Sequence, residues 1–234
     1  MSFGTIATDY DRLRPSPPDA AIEWLLPPGC QVAVDLGAGT GLLSRALARQ
    51  VPRVVAVEPD ERMAAVLQDR SPGVEVVPGR GEAIPLPDAS ADGVFASSAW
   101  HWLDPERAPL EISRVLRDGG RLGVIWTTRD RSADWVCEVE ATRDNAADPA
   151  DDSKDRWARH RRQVMLPPQL FGDVETASFA SVRQMTTDDF VDMLGTYSGA
   201  ITANSRERDV ALDRARAVLE RRFPGSAEIE VPMR

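Results

Sequence analysis

Lysine occurs once in these 234 residues, at Lys154, so arginine carries nearly all of the positive charge. Acidic residues outnumber basic ones 37 to 28, a formal net charge of −9. That deficit argues against a nucleic-acid partner, because phosphate binding rests on Lys/Arg clusters. The one local basic run, "RWARHRR" (156–162), is expected to be a solvated helix face with His160 exposed. Cysteine is almost as scarce. Cys30 and Cys137 form no CxxC and have no neighbouring histidine, which argues against a disulfide framework and predicts no metal. No apolar run reaches the roughly 18 residues of a membrane span. The opening "MSFGTIATDYDRLRP" lacks the apolar core of a signal peptide. These absences point to a cytoplasmic protein with neither a membrane nor a nucleic-acid partner, either monomer or homodimer.

What is present is a core-forming composition, 42% hydrophobic, with a repeating organisation in the first half. Short Val-rich runs, "QVAVDL" (31–36), "RVVAVE" (53–58), "VEVVP" (74–78), "GVFASS" (93–98) and "GRLGVIW" (120–126), alternate with helical patterns. Near-continuous apolar strands separated by helices predict a doubly wound α/β fold, its parallel sheet covered on both faces. Leu42, Leu43, Ala46 and Leu47 share one helix face; Met63, Ala64, Val66 and Leu67 share another. Ahead of the first strand, Ser16 is an expected N-cap. In "DPERAPLEISRVLRDGG", Asp104 and Pro105 look like a cap and first position, yet Pro109 removes a helix bond. The helix therefore starts at Pro109 or has a distorted first turn. Beyond Asp130 the alternation weakens. An acidic stretch (143–156) is expected as a loop, 173–179 as a strand, 186–195 and 205–223 as helices, and 228–233 as a strand.

"VAVDLGAGTG" carries the strongest functional signal. A buried strand runs into Gly37, Ala38, Gly39 and Gly41 and then a helix. Glycine is needed where the chain turns tightly and its backbone approaches a ligand. The helix N-terminus behind it offers free N–H groups. Glu58, ending the second strand, can accept hydrogen bonds from both hydroxyls of a ribose. A dinucleotide fingerprint wants G-x-G-x-x-G/A, but its last position here is Leu42. Asp35 repels a pyrophosphate and suits a cationic amine. A nucleoside cofactor follows, with an NAD-dependent oxidoreductase as the rival reading.

"VDLGAGTG", "VVAVEPD", "GEAIPLPDASADGVFASSAWHWLD" and "EISRVLRDGGRLGVIW", in that order, resemble class I S-adenosylmethionine-dependent methyltransferases of the type 11 group, over residues 8–130. The resemblance implies a Rossmann-like, seven-stranded, mostly parallel sheet with an antiparallel last strand and a late helical lid. It implies one domain over 1–234, with a cofactor core at 8–130 and acceptor-site additions at 131–222. It also implies S-adenosylmethionine as cofactor and S-adenosylhomocysteine as product. By the same resemblance Asp35 and the Gly37–Gly41 turn hold the methionine part, and Glu58 the ribose. Pro59 and Met63 line the adenine; Gly81, Glu82 and Ala83 meet its edge, chiefly through backbone groups. Ser97 and Ser98 face the methionine and the methyl group. "YDRLRPSPP", "HW" before "LDPER", and "IWTTRD" resemble trans-aconitate and juvenile-hormone-acid methyltransferases, which methylate carboxylates. Tyr10 and Arg14 then close over the cofactor. The implied reaction is methylation of a small-molecule acceptor at a carboxylate or hydroxyl oxygen; a cofactor-binding protein without activity is the second rival.

Trp100, Trp102 and Trp126 are candidates for the acceptor side, against a plain packing role. Since alternating neighbours cannot all face inward, one ring of "WHW" should border the cleft. His101, between two of them, has three readings: a base for a hydroxyl acceptor, a hydrogen-bond donor to a carboxylate, or a structural histidine bonded to backbone. Arg129 suits bidentate carboxylate recognition; a surface ion pair or helix cap is the plainer alternative.

Overall fold

A computed structural model describes residues 3–142, 164 and 166–234. The basic run with His160, and the expected acidic loop at 143–156, lie outside them. The described chain divides into two compact units. A parallel unit comprises residues 16–127, 164 and 166–179; an antiparallel unit comprises 3–15, 128–142 and 180–234.

The parallel unit holds β1 (Val32–Leu36), β2 (Arg53–Val57), β3 (Glu75–Val77), β4 (Ala91–Ser97) and β5 (Leu116–Ile125), with α2 (Asp19–Leu25), α3 (Leu42–Ala48), α4 (Glu61–Arg70) and α5 (Arg107–Val115) between and around them. The strand order is β3-β2-β1-β4-β5, all parallel. Alternate residues of the central strands feed opposite cores. Val34, Leu36, Val94 and Ala96 pack with Ile112 and Val115 of α5. Ala33 and Phe95 pack with Ile22 of α2 and with Leu43, Ala46 and Leu47 of α3. Burial on both faces is why these strands are apolar without alternation. Each buried Val, Leu, Ile or Phe among them contributes about 1.5–3 kcal/mol of transfer free energy.

Several local expectations change. α2 starts at Asp19 behind Pro18, and Ser16 Oγ instead donates to Leu42 O at 3.2 Å. α5 starts at Arg107, ahead of Pro109, with Asp104 Oδ1 accepting from the amides of Glu106 and Arg107. Pro109 is the third residue of α5, where an N–H has no intrahelical acceptor in any case, so neither a late start nor a broken turn is required. Residues 173–179 form no strand.

The antiparallel unit contains α1 (Ala7–Leu13), α6 (Asp134–Ala141), β6 (Ser181–Thr186), α7 (Thr187–Gly195), α8 (Ser198–Thr202), α9 (Ser205–Arg222) and β7 (Glu228–Met233). β6 and β7 pair from Ser181↔Met233 to Thr186↔Glu228. Residues 128–130 add to β7: the Thr128 and Arg234 amides exchange bonds, and Asp130 N donates to Pro232 O. Leu13 joins Val139, Phe190, Leu194, Leu219 and Val231 in one core. Arg183 reinforces the N-terminal attachment by donating to the carbonyls of Leu13 and Arg12. Thr186 and Asn204 cap α7 and α9 through the amides of Asp189 and Glu207, each worth about 1 kcal/mol.

The implied seven-stranded sheet is thus corrected for the described residues to a five-stranded parallel sheet and a separate antiparallel pair. After Ile125 the chain pairs next at 128–130, and with β7. No helix among the described residues is long and apolar enough to cross a membrane.

Candidate functional site

β1 is flanked by β2 on one side and by β4 on the other, so the strand order reverses at β1, where open α/β sheets bind ligands beyond their carboxyl ends. Gly37 follows β1 and Glu58 follows β2, and the two strands are paired to their last residues, Leu36↔Val57. The amides of Gly37 and Ala38 donate to Val57 O at 2.9 and 3.2 Å. The Gly39 amide donates to Glu58 Oε2 at 2.7 Å, and the Asp60 amide to Glu58 Oε1 at 2.9 Å. Gly37, Gly39 and Gly41 all have positive φ, but their surroundings differ. A Cβ on Gly37 would lie 2.8 Å from Ala99 Cβ, and one on Gly41 2.8 Å from Leu67 Cγ. A Cβ on Gly39 would enter open space. Gly39 is the glycine that leaves room for a ligand.

Asp35 is fully buried beneath this turn. Its Oδ2 accepts from Ser44 Oγ at 2.6 Å, tying β1 to the first turn of α3. Its Oδ1 has no hydrogen-bond partner among the described residues, and neither does the buried Thr40 hydroxyl. Burial pushes the Asp35 carboxyl up to about 7; the Ser44 hydroxyl opposes the shift and the negative charge of Glu58 adds to it. Burial also raises the Glu58 pKa, against the amides of Asp60 and Gly39, which lower it. Two adjacent carboxylates that ionise with difficulty, one with an orphaned oxygen, favour a ligand bearing a cation. Glu58 spends one lone pair per oxygen on backbone, and a carboxylate has about four such sites, so acceptors remain for a vicinal diol. An amino-acid-bearing nucleoside fits this donor and acceptor set.

Met63 is buried and Pro59 exposed. Gly81 approaches Leu103 so closely that a Cβ would sit 2.6 Å from Leu103 Cδ2. Glu82 Oε1 accepts from the Asp104 amide at 2.8 Å, and the Ala83 amide donates to Arg80 O. A clamp from α5 holds the segment that follows: Glu111 Oε1 accepts from Ile84 N, while Arg114 donates to Ile84 O, Leu86 O, Glu111 and Asp88. Glu111 and Arg114 were visible only as polar residues in an amphipathic helix; their partners in that segment lie 26 to 30 residues away in sequence.

At the end of β4, Ser97 is half-buried and Ser98 adopts φ +54°, a left-handed conformation that costs a non-glycine residue about 1–2 kcal/mol. Its amide donates to Ile125 O at 2.9 Å. A 3₁₀ turn, Trp100–Trp102, follows. Trp100 is buried in the core and Trp126 packs against that cluster, whereas Trp102 is 63% exposed, so the run divides between packing and open surface. His101 is solvent-facing, its ring 4.9 Å from that of Trp102. Partial desolvation lowers its pKa. Among the described residues the imidazole has no backbone hydrogen bond of the kind a structural histidine would make.

Tyr10, Arg14 and Arg129 belong to the antiparallel unit, where both arginines lie against the ring of Tyr197 and Arg14 also lies over Tyr10. The Arg14 guanidinium carbon lies 3.8 Å from the Tyr197 ring centre and 5.1 Å from that of Tyr10; that of Arg129 lies 4.8 Å from Tyr197. Arg129 pairs with Glu140 at 2.9 Å and is 6% exposed, so the pair is buried rather than superficial. Asp130 accepts from the Ser132 amide in a local turn. Nothing in the local sequence around Tyr197 marked it.

The family model described as "Methyltransferase domain" matches residues 34–124. An uncharacterized methyltransferase of Mycobacterium tuberculosis is 39% identical over 219 residues, 94% of this chain and 86% of that protein. A malonyl-[acyl-carrier protein] O-methyltransferase of Methylococcus capsulatus is 37% identical over 134 residues, 52% of this chain and 48% of that protein. A solved structure from Anaeromyxobacter dehalogenans, described as a candidate type II methyltransferase, superposes with a TM-score of 0.72 at 27% identity, covering 94% of this chain and 95% of that one. These likenesses set aside the dinucleotide alternative and agree with the donor set around Asp35 and Glu58: the chain belongs to the class I S-adenosylmethionine-dependent methyltransferases.

Proposed function

We propose that the enzyme methylates a hydroxyl or carboxylate oxygen of a small molecule, with His101 as proton acceptor for hydroxyl acceptors. The observation that carries this reading is the contact of Gly37 with Ala99. It sets the turn bearing His101 beside the glycine loop. S-adenosylmethionine, when bound, supplies a methyl group already activated on a sulfonium, so the protein's share is alignment and removal of water.

In this reading Glu58 accepts from the ribose hydroxyls, and Asp35 Oδ1 faces the amino-acid end together with the open space at Gly39. Pro59 and Met63 line the adenine, and the Gly81–Ala83 backbone meets its edge. Ser97 and Ser98 face the methionine chain, and Tyr10 and Arg14 contribute from the N-terminal segment. The acceptor determinants lie in Trp102, Trp126, Arg129 and the later residues 131–222, with Trp100 setting the position of the turn. His101, whose neutral form desolvation favours, accepts the proton that a hydroxyl loses on methylation; a carboxylate acceptor needs no such step. The partial similarity to an O-methyltransferase supports oxygen as the atom attacked.

Methyl transfer from labelled S-adenosylmethionine to a panel of phenols, alcohols and carboxylic acids tests the reading. With hydroxyl acceptors, His101→Gln should lower kcat by about 10²–10⁴-fold, and with carboxylates far less. A rate unchanged on both classes would leave His101 without a chemical role.

A further inference from the structure

We infer that the side chain of Glu82 is a positioning group: through the backbone amide of Asp104 it fixes the turn that carries His101. The inference rests on the methyl-transfer reading above and deepens it, because the loop assigned to the adenine edge then also sets the place of the proton acceptor.

His101 does not hold itself. Among the described residues its ring makes no hydrogen bond, and its ring neighbour is the exposed Trp102. Its place therefore follows from the backbone of the turn. Trp102 N donates to Ala99 O at 2.9 Å and Leu103 N to Trp100 O at 3.1 Å, closing residues 99–103 into one short unit. That unit is fastened at both ends to loops assigned to the cofactor. At its start Ala99 lies so close to Gly37 that a Cβ there would come within 2.8 Å. At its end Leu103 lies over Gly81, and Asp104 N donates to Glu82 Oε1 at 2.8 Å.

The two contacts at the end differ in kind. Leu103 on Gly81 is apolar and has little direction, whereas a carboxylate that accepts from an amide fixes angle as well as distance. The Asp104 side chain is engaged elsewhere, its Oδ1 accepting from the Glu106 and Arg107 amides at the start of α5. Its amide is thus the atom that meets the adenine-edge loop. Glu82 in turn stands on a fixed base, since the chain just after it is clamped to α5 by Glu111 and Arg114. His101 is two positions from Ala99 and three from Asp104, so release of the second fastening lets the imidazole move. A displacement of about 1 Å can cost about 100-fold in rate, because a base must lie within hydrogen-bond reach of the proton it takes.

Three substitutions separate reach from charge. Glu82→Gln keeps an oxygen at the same reach without the charge. Glu82→Asp keeps the charge but draws the oxygens back by a methylene, and Glu82→Ala keeps neither. Glu82 is half-buried and outside the core clusters, so each variant should fold, which a thermal melt checks. With hydroxyl acceptors, Glu82→Ala and Glu82→Asp should lower kcat by about 10–100-fold, with S-adenosylhomocysteine affinity little changed, and Glu82→Gln should restore most of the rate. Carboxylate acceptors, which need no base, should lose far less. The Cε1 proton resonance of His101 gives a readout independent of turnover. The chain has two histidines, His101 and His160, so the signal is identified by its loss in His101→Gln. It should move in Glu82→Ala and Glu82→Asp and stay near its wild-type position in Glu82→Gln. Wild-type kcat and resonance in Glu82→Ala overturn the inference. So does a loss that follows charge, present in Glu82→Gln and absent in Glu82→Asp. A fall in S-adenosylhomocysteine affinity at unchanged kcat overturns it too, assigning the Glu82 side chain to the adenine itself. If His101→Gln leaves hydroxyl methylation unaltered, the proton-acceptor reading fails by itself, and the His101 resonance in the Glu82 variants still decides whether the turn is fastened here.

Discussion

Gly39 and Glu58, nineteen positions apart, are joined by a 2.7 Å hydrogen bond from the glycine amide to the carboxylate. The glycine loop therefore takes its shape partly from the group proposed to hold the ribose. In Glu58→Gln one amide oxygen replaces two carboxylate oxygens, so only one of the Gly39 and Asp60 amides keeps its acceptor. S-adenosylhomocysteine affinity should fall by about 10–100-fold, the range of one charge-assisted hydrogen bond, with the fold retained. Calorimetry beside a thermal melt checks this; native affinity in a folded variant would remove Glu58 from the site.

The three glycines of the loop should respond differently to alanine. Each substitution incurs about 1–2 kcal/mol of left-handed strain, and Gly37→Ala adds a Cβ 2.8 Å from that of Ala99. Gly39→Ala adds no contact, so its stability loss should be the smaller. Its methyl group, however, enters the space assigned to the ligand. We expect Gly39→Ala to fold and to bind S-adenosylhomocysteine poorly, and Gly37→Ala to melt at the lower temperature. The reverse order in a melt, or native binding by Gly39→Ala, contradicts the assignment.

Asp35 makes the ligand-free enzyme less stable as pH rises. Its carboxyl is raised from 3.8 to about 7 by burial, so between those values the native state keeps a proton that the unfolded chain has lost. Stability should fall across that window by on the order of 4 kcal/mol and level off above it. Asp35→Asn should flatten the slope, leaving a smaller one of the same sign from Glu58, also raised by burial. Denaturant titrations between pH 4 and 8 give both curves. A ligand cation at Oδ1 should release the Asp35 proton on binding, visible as a buffer-dependent heat near pH 7.

For hydroxyl acceptors kcat/KM should rise with pH through the pKa of His101, lowered by desolvation, and be flat by pH 7 because the imidazole is then neutral. Carboxylate acceptors should show no such limb. In His101→Gln the ascending limb should vanish; its persistence would assign the base to another group.

Arg114 links α5 to the segment after Gly81–Ala83 through the carbonyls of Ile84 and Leu86 and the carboxylates of Glu111 and Asp88. Arg114→Ala should cost about 1–3 kcal/mol by stranding these acceptors. It should raise KM for S-adenosylmethionine more than it lowers kcat, because the loop it positions is assigned to the adenine edge. An equal fall in kcat with KM unchanged would place Arg114 elsewhere in the mechanism.

The parallel sheet, the glycine turn and the acid after β2 could be read in advance because each is written in consecutive residues. A strand buried on both faces must be apolar throughout, a positive φ calls for glycine, and Glu58 needs only to end β2 beside β1. The start of α5 ahead of Pro109 and the absence of a strand at 173–179 were misjudged because pattern and propensity do not say where a helix cap closes or which segment finds a pairing partner. The Arg14–Tyr197–Arg129 cluster and the Arg114 clamp had no local signature at all. Their members are separated by up to 183 positions, and it is packing in three dimensions that decides which charges share a ring or a carboxylate. Electrostatic energy depends on distance and burial, and neither quantity is present in a string of residues until the chain has folded.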